Sequence, residues 1–288
     1  MPELPEVEIV KQSLEKTIKT KRIIETIINN RNLRYKIEKD FEEKIKNKKI
    51  IKVKRRAKYL ILEIENKNYI LIHLGMSGTL HLIKKDRGYN TNLSFYRSSK
   101  LPDSHNHICF SFKGFKIIYN DPRRFGFVKF FDNKKKIHNY LNKNGPEPLS
   151  SKFSYKYLNL NLVNKDKKIK NIMLDQKIVA GIGNIYASEI LFYSRINPKI
   201  KGKNLNEKEI KKIIKFTKFV LKKAIKNGGS TIRNFKNALG NSGGYQDKFK
   251  VYSKENKRCP NQGCRFKIKK IKISNRSTFY CKKCQKNR

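Results

Sequence analysis

Between about residue 50 and residue 131, seven short apolar runs follow one another: "IIKVK", "YLILEIE", "YILIHL", "TLHLI", "HICFSF", "FKIIYN" and "FVKFF". Turn signals such as "ENKN", "GMSG" and "FKGF" separate them. Runs this short, rich in β-branched and aromatic residues and bounded by glycine and asparagine, are strands. Packed on one another they predict an antiparallel sandwich or barrel.

The flanks obey a different period. Val7, Val10, Leu14 and Ile18 recur at helical spacing behind Pro5, which suits a first helical turn, and predict a helix to about Thr20. "KNGPEPLS" (143–150) ends the strand pattern and marks a domain boundary. Beyond it the chain reads as helical, first in "GIGNIYASEILFYSRI" and then in "LNEKEIKKIIKFTKFVLKKAIKNGG". The second helix should take Asn206 as N-cap with Glu209 at its third position, a Leu205/Ile210 staple, and Gly228 just past its end. Residues 228–248 carry too many glycines for a rigid element and read as a functional loop. With 288 residues and 38% hydrophobic content the chain can hold two domains, or one with an appendage, and no internal repeat is present.

Charge restricts the partner. Sixty-nine Lys and Arg against 23 Asp and Glu give a formal +46, far beyond the needs of solubility, and such a surface seeks a polyanion, most naturally nucleic acid. Part of the lysine excess reflects an AT-rich coding bias, which makes the 15 arginines more informative, since only they supply a planar five-donor fork. They recur in "KRRAKYL", "DPRRFG" and "SNRST". No apolar run reaches the 18 or so residues of a membrane span. The opening residues lack the features of a targeting signal, so Met1-Pro2 is expected to be the mature start.

Four of five cysteines lie beyond residue 258, as C-x4-C at Cys259 and Cys264 and C-x2-C at Cys281 and Cys284. Two close thiolate pairs bridged by β-rich sequence fit a closed tetrahedral zinc hairpin, a structural site with no open position. This usage points to a reducing, cytoplasmic compartment. Residues 255–288 hold twelve Lys/Arg and one acid, Glu255, so the hairpin is expected to touch nucleic acid. Cys109, inside a strand, reads as a small buried hydrophobe.

"MPELPEVEIV" opens the chain. With Met1 removed it would begin with a prolyl secondary amine, whose ordinary pKa near roughly 8 leaves a neutral nucleophilic fraction. The positive end of the following helix dipole raises that fraction. Such an amine attacking a sugar carbon gives an iminium, an electron sink for elimination, and Glu3 or Glu6 could exchange protons with it.

These blocks together carry a family resemblance. "MPELPEVE", "RRAKYL", "HLGMSG", "DPRRFG", "GPEPLS", "GIGNIYASE" and the cysteine hairpin with "RSTFYC" run in order along the chain and resemble the formamidopyrimidine-DNA glycosylases, bacterial enzymes that remove oxidised purines. The resemblance implies an α+β multidomain fold: an N-terminal antiparallel β-sandwich domain (1–145), a helix-two-turn-helix domain (146–253) and a C-terminal zinc β-hairpin (254–288), with DNA in the cleft between the halves. It implies a bifunctional glycosylase and AP lyase acting as a monomer on damaged double-stranded DNA, with one structural zinc ion.

Carried onto this sequence, the resemblance makes Pro2 the nucleophile and Glu3 the proton donor to the sugar ring oxygen. Lys58 becomes the acid of β-elimination and Arg276 that of δ-elimination. Met76, Arg123 and Phe125 fill the space of an extruded nucleotide, while His105, Lys165 and Asn184 contact DNA. The 228–248 loop closes over the flipped base. The family's first cysteine pair is usually C-x2-C, and "CPNQGC" departs from it while keeping four ligands. Two other readings stay open: an endonuclease VIII-like enzyme for oxidised pyrimidines, and a non-catalytic zinc-ribbon nucleic-acid-binding protein.

Overall fold

The computed structural model describes residues 2–84, 90–92, 103–230 and 244–286. The chain divides into two compact units, Met1–Asn142 with Asn227–Gly244 and Lys143–Lys226 with Tyr245–Arg288.

The first unit opens with helix α1 (Leu4–Ile18), capped by the extended Glu3, whose N–H donates to Glu6 Oε2 at 2.8 Å. Leu4, Val7, Val10, Leu14 and Ile18 are all buried. The helix stops short of the predicted end because Lys19 already leaves the helical region at ψ 134°. All seven predicted strands form. Two short strands, β1 (Glu25–Ile28) and β6 (Asn90–Asn92), and two short helices, α2 (Phe41–Ile45) and α3 (Lys134–Leu141), join them.

Four strands, β2 (Ile50–Arg56), β3 (Tyr59–Ile64), β4 (Asn68–His73) and β9 (Phe127–Phe131), make one sheet in the order β2-β3-β4-β9. The other sheet runs β1-β7-β8-β5-β6, where β5 is Thr79–Lys84, β7 is Asn106–Phe112 and β8 is Phe115–Asn120. Every pairing is antiparallel. Leu62 and Ile72 from the first sheet, Leu80, Phe110 and Ile117 from the second, and Leu14 of α1 surround one small apolar void, so the sheets share a core as a sandwich.

The second unit is built on helix α6 (Asn184–Tyr193), buried at every position from Ile185 to Phe192. A helix buried all round needs neighbours on every side. They include the preceding helix α5 (Ile169–Leu174) and the long α7 (Glu207–Lys226), against which α4 (Tyr155–Leu162) packs in turn. At the start of α7, Glu209 N donates to Asn206 Oδ1 at 2.9 Å and Asn206 N to Glu209 Oε2 at 3.0 Å, the predicted reciprocal cap. Leu205 and Ile210 are both buried, and Gly228 beyond the helix has φ 77°.

The chain closes with a hairpin of β10 (Lys269–Ile273) and β11 (Arg276–Tyr280), joined through Ser274 and Asn275, both left-handed at φ 45° and 59°. Among the described residues no helix is long and apolar enough to cross a membrane.

Candidate functional site

Pro2, Glu3 and Glu6 are all buried at the start of α1, the two carboxyl residues at only 2% exposure. Carboxyls leave water at a cost and need donors. Glu6 receives three: Glu3 N, Ser230 N at 2.8 Å and Ser230 Oγ at 2.9 Å. Lys58 sits in the two-residue turn between β2 and β3, buried, behind the left-handed Ala57. Arg55 ties that turn to α1, since its Nε donates to Glu8 Oε2 at 2.7 Å while its other arm donates to the Ala57 carbonyl at 2.9 Å. One guanidinium thereby fixes the lysine's turn against the helix that follows Pro2.

Met76 and Phe125 stand on two loops of the same unit and remain 40% and 45% exposed. The Arg123 guanidinium lies over the Phe125 ring, 4.6 Å from its centroid. These three side chains, with Asn32, Leu33, Arg34, His73 and Arg124, line a cavity of about 740 Å³. Burial, reinforced by the charges of Lys58 and Arg34, pushes His73 down to about 4. It is therefore neutral at pH 7, and because Nδ1 accepts from Gly75 N at 3.1 Å, the proton resides on Nε2. His105, half-buried ahead of β7, accepts the Asp121 N–H through its carbonyl at 3.1 Å.

In the second unit Lys165 is exposed just past α4. Asn184 is the first residue of α6, where unsatisfied backbone N–H groups and the helix dipole favour an anion. Its Nδ2 donates to the Ser277 carbonyl at 2.9 Å, next to Arg276, and Asn171 donates to Ser274 Oγ at 2.9 Å on the other side of the turn. The turn that carries the exposed Arg276 is thus tied on either side to an asparagine of the helical unit.

The four predicted cysteines converge, with all Sγ atoms within 4.8 Å of one another. Among the described residues this is the single group of close His, Cys, Asp or Glu ligands able to hold a metal ion. The extra residues of "CPNQGC" form a turn, closed by Cys264 N donating to the Asn261 carbonyl at 3.1 Å with Gly263 at φ 72°. Gln285, fully buried, accepts the Cys281 N–H at 2.9 Å and donates to the Ile196 carbonyl at 2.8 Å.

Sequence reasoning missed Arg34, His73, Asp121, Glu189 and Gln285. Glu189 is fully buried and accepts the N–H groups of Lys250, Val251 and Tyr252 at 2.8 to 2.9 Å, although burial by itself pushes its carboxyl up. His73 and Asp121 lie inside quoted blocks, "HLGMSG" and "DPRRFG", which were the available signal. Most of the 228–248 loop lies outside the described residues.

Pro2 beside buried carboxyls, on a sandwich followed by helices and a four-cysteine hairpin, is an arrangement that fits a DNA-repair glycosylase. The family model "Formamidopyrimidine-DNA glycosylase N-terminal domain" matches residues 1–128, and "Formamidopyrimidine-DNA glycosylase H2TH domain" matches residues 144–236. The chain belongs to the formamidopyrimidine-DNA glycosylase family. It is 41% identical to the Rickettsia bellii formamidopyrimidine-DNA glycosylase over 287 residues, 99% of this chain and all of the relative. Among solved structures it resembles a Lactococcus lactis FPG variant in complex with a Fapy-dG containing DNA, at TM-score 0.87 and 34% identity. It likewise resembles the Lactococcus lactis Fpg with an abasic site containing DNA, at TM-score 0.86 and 34% identity. Each comparison covers 99% of this chain and all of the other.

Proposed function

We propose that the protein excises oxidised purines, 8-oxoguanine and formamidopyrimidines, from duplex DNA in the bacterial cytoplasm, and then cleaves the strand as an AP lyase. The observation that carries this reading is the burial of Pro2, Glu3 and Glu6 together at the start of α1.

Once Met1 is removed, the Pro2 nitrogen bonds to the deoxyribose C1′. The bond from C1′ to the base breaks and the base leaves with a proton. Glu3 protonates the ring oxygen, the sugar opens, and the nitrogen's electron pair forms the iminium. Loss of a C2′ proton then expels the 3′ phosphate, with Lys58 as the associated acid. A second elimination, assisted by Arg276, expels the 5′ phosphate. Hydrolysis frees Pro2 and leaves a one-nucleotide gap bearing phosphates.

A base inside a duplex must leave the stack to be reached. Met76 and Phe125 supply apolar wedges for the vacated space and Arg123 supplies donors for the orphaned base, a division of labour their exposure supports. His105, Lys165 and Asn184 contact the backbone. The Sγ atoms of Cys259 and Cys284 lie 3.8 Å apart and those of Cys264 and Cys281 3.7 Å. A tetrahedron with zinc to sulfur bonds of about 2.3 Å has edges of about 3.8 Å, so the cysteines fit one structural zinc ion. Residues 1–145 would carry the chemistry, 146–253 most backbone contacts, and 254–288 the zinc hairpin with Arg276.

Borohydride present during reaction should reduce the iminium and join the protein to lesion-bearing DNA, with the adduct mapping to Pro2. An uncleaved N-terminal tag turns the amine into an amide and should abolish trapping. Equal trapping by the tagged protein would refute the assignment of Pro2. A parallel panel of duplexes with one lesion each checks the substrate: strong cutting of oxidised pyrimidines with none of 8-oxoguanine would make the enzyme endonuclease VIII-like.

A further inference from the structure

Asp121 is fully buried beneath the loops that carry Met76, Arg123 and Phe125. Its carboxylate accepts hydrogen bonds from partners on both loops. Oδ1 receives the hydroxyl of Ser77, the neighbour of Met76. Oδ2 receives Gly126 N at 2.8 Å, directly after Phe125, and the Tyr119 hydroxyl at 3.2 Å.

The backbone of Asp121 extends the junction. Its carbonyl accepts Arg124 N at 3.0 Å and pairs with His107 Nε2 at 2.8 Å, while its N–H donates to the His105 carbonyl. Ser77 closes the circuit, because its Oγ also accepts Arg123 N at 3.2 Å. The two loops touch with no room for a side chain between them. A Cβ on Gly75, already at φ 60°, would lie 2.4 Å from Gly126 N, and one on Gly126 would lie 2.4 Å from the His73 carbonyl oxygen.

Two exposed loops on separate strand connections would ordinarily move independently. Here one buried carboxyl accepts hydrogen bonds from both, and breaking them would leave buried polar groups unsatisfied. We propose that Asp121 is a positioning residue for opposite-base recognition: through Ser77 and Gly126 it locks the Met76 loop to the loop of Arg123 and Phe125, so that wedge and base-reading guanidinium enter the duplex as one rigid body. Asp121 itself touches no DNA. The inference rests on the reading of Met76, Arg123 and Phe125 given above.

The test compares the intact protein with Ser77→Ala, Ser77→Thr and Asp121→Asn, and with Met76→Ala and Arg123→Ala as references. Excision of 8-oxoguanine paired with cytosine and with adenine is measured in duplex DNA. Each variant's borohydride trapping on a single-stranded abasic oligonucleotide, which has no opposite base, serves as its own reference for the chemistry. Loss of one buried hydrogen-bond link should shrink the cytosine-to-adenine preference by about tenfold in Ser77→Ala and Asp121→Asn, more than any change in trapping. Ser77→Thr, which keeps the hydroxyl, should restore the preference.

Thermal melting identifies any variant that fails to fold, and Ser77→Ala alone then decides the matter. If Met76→Ala and Arg123→Ala alter the preference while Ser77→Ala leaves it intact, the positioning role is overturned and the reading of the loops stands. If Met76→Ala and Arg123→Ala leave the preference unchanged, the loops do not read the opposite base, and both fall.

Discussion

The carboxylate of Glu6 holds Ser230 twice, by its backbone N–H at 2.8 Å and its hydroxyl at 2.9 Å, across 224 positions of sequence. The same carboxylate caps Glu3 N at the start of α1. A single buried side chain thus joins the beginning of the 228–248 segment to the turn that carries Pro2.

Glu6→Ala should remove three acceptor contacts and leave buried donors unsatisfied, destabilising the protein by about 2–4 kcal/mol. Glu6→Gln keeps one oxygen and should lose less. Gly229 adds an independent check, because it sits at φ 76° and a Cβ there would approach Glu6 Oε1 to 3.3 Å. Gly229→Ala should destabilise by about 1 kcal/mol from backbone strain alone. Urea denaturation of the three variants measures both effects, and a Glu6→Ala protein as stable as wild type would contradict the tether.

Acid should weaken the sandwich through His81. This side chain is 1% exposed, its Nε2 lies 2.7 Å from Thr79 Oγ1, and burial pushes it from 6.5 down to about 4. The unfolded chain binds a proton below about pH 6.5 and the folded chain only near 4, so stability is full above 6.5 and falls between 6.5 and 4. The loss across that window should approach 2–3 kcal/mol. His81→Gln cannot titrate, and its urea midpoint should fall less steeply from pH 7 to pH 5 than that of the wild type.

Sequence pattern revealed the elements whose cause is local. Strands such as β3 and β4 carry their own alternation or apolar runs, α7 carries its cap and stripe, and the four cysteines declare themselves by spacing. The strand Glu25–Ile28 escaped notice because it has four residues and one buried side chain, too little for a period. The end of α1 falls two residues before the predicted one, since only the backbone angle of Lys19 sets it.

The site was legible in the same uneven way. Residues with distinctive chemistry, such as Pro2, Lys58 and Arg123, stood out in their blocks. Those that position them did not, because a partner such as Ser77 for Asp121 or Ser230 for Glu6 lies 44 or 224 residues away and has no local signature. His73 gives no hint in sequence that its imidazole is held neutral by burial and by Lys58 and Arg34.

DNA affinity should be strongly salt-dependent. The chain carries a formal +46, and each phosphate neutralised releases counterions. With on the order of five to eight phosphate contacts, log K against log salt should fall with a slope of roughly −4 to −7. Lys165→Ala should flatten that slope by about one and weaken binding to all sequences alike. A nearly flat plot for the wild type, measured by fluorescence anisotropy on abasic duplexes, would rule out backbone-dominated binding.

The cysteine hairpin should depend on its metal for folding. Cys259, Cys264 and Cys281 are buried together with Val251, Ile268 and Phe279, an apolar group too small to hold a segment of this size unaided. Elemental analysis of the purified protein should find one zinc per chain. Cys281→Ser removes a thiolate whose own N–H is held by Gln285, so the metal and the clamp at Ile196 should be lost together. The variant should expose residues 254–286 to protease, free the turn that carries Arg276 from Asn171 and Asn184, and lose DNA binding. The sandwich has a separate core, and its strands should keep their amide-exchange protection. Gln285→Ala separates the two effects: zinc should remain bound while protease sensitivity near Ile196 rises, because the side-chain amide that donates to the Ile196 carbonyl at 2.8 Å is lost. A wild-type protein without zinc, or a Cys281→Ser protein that resists protease and binds DNA normally, would show that the hairpin folds without metal.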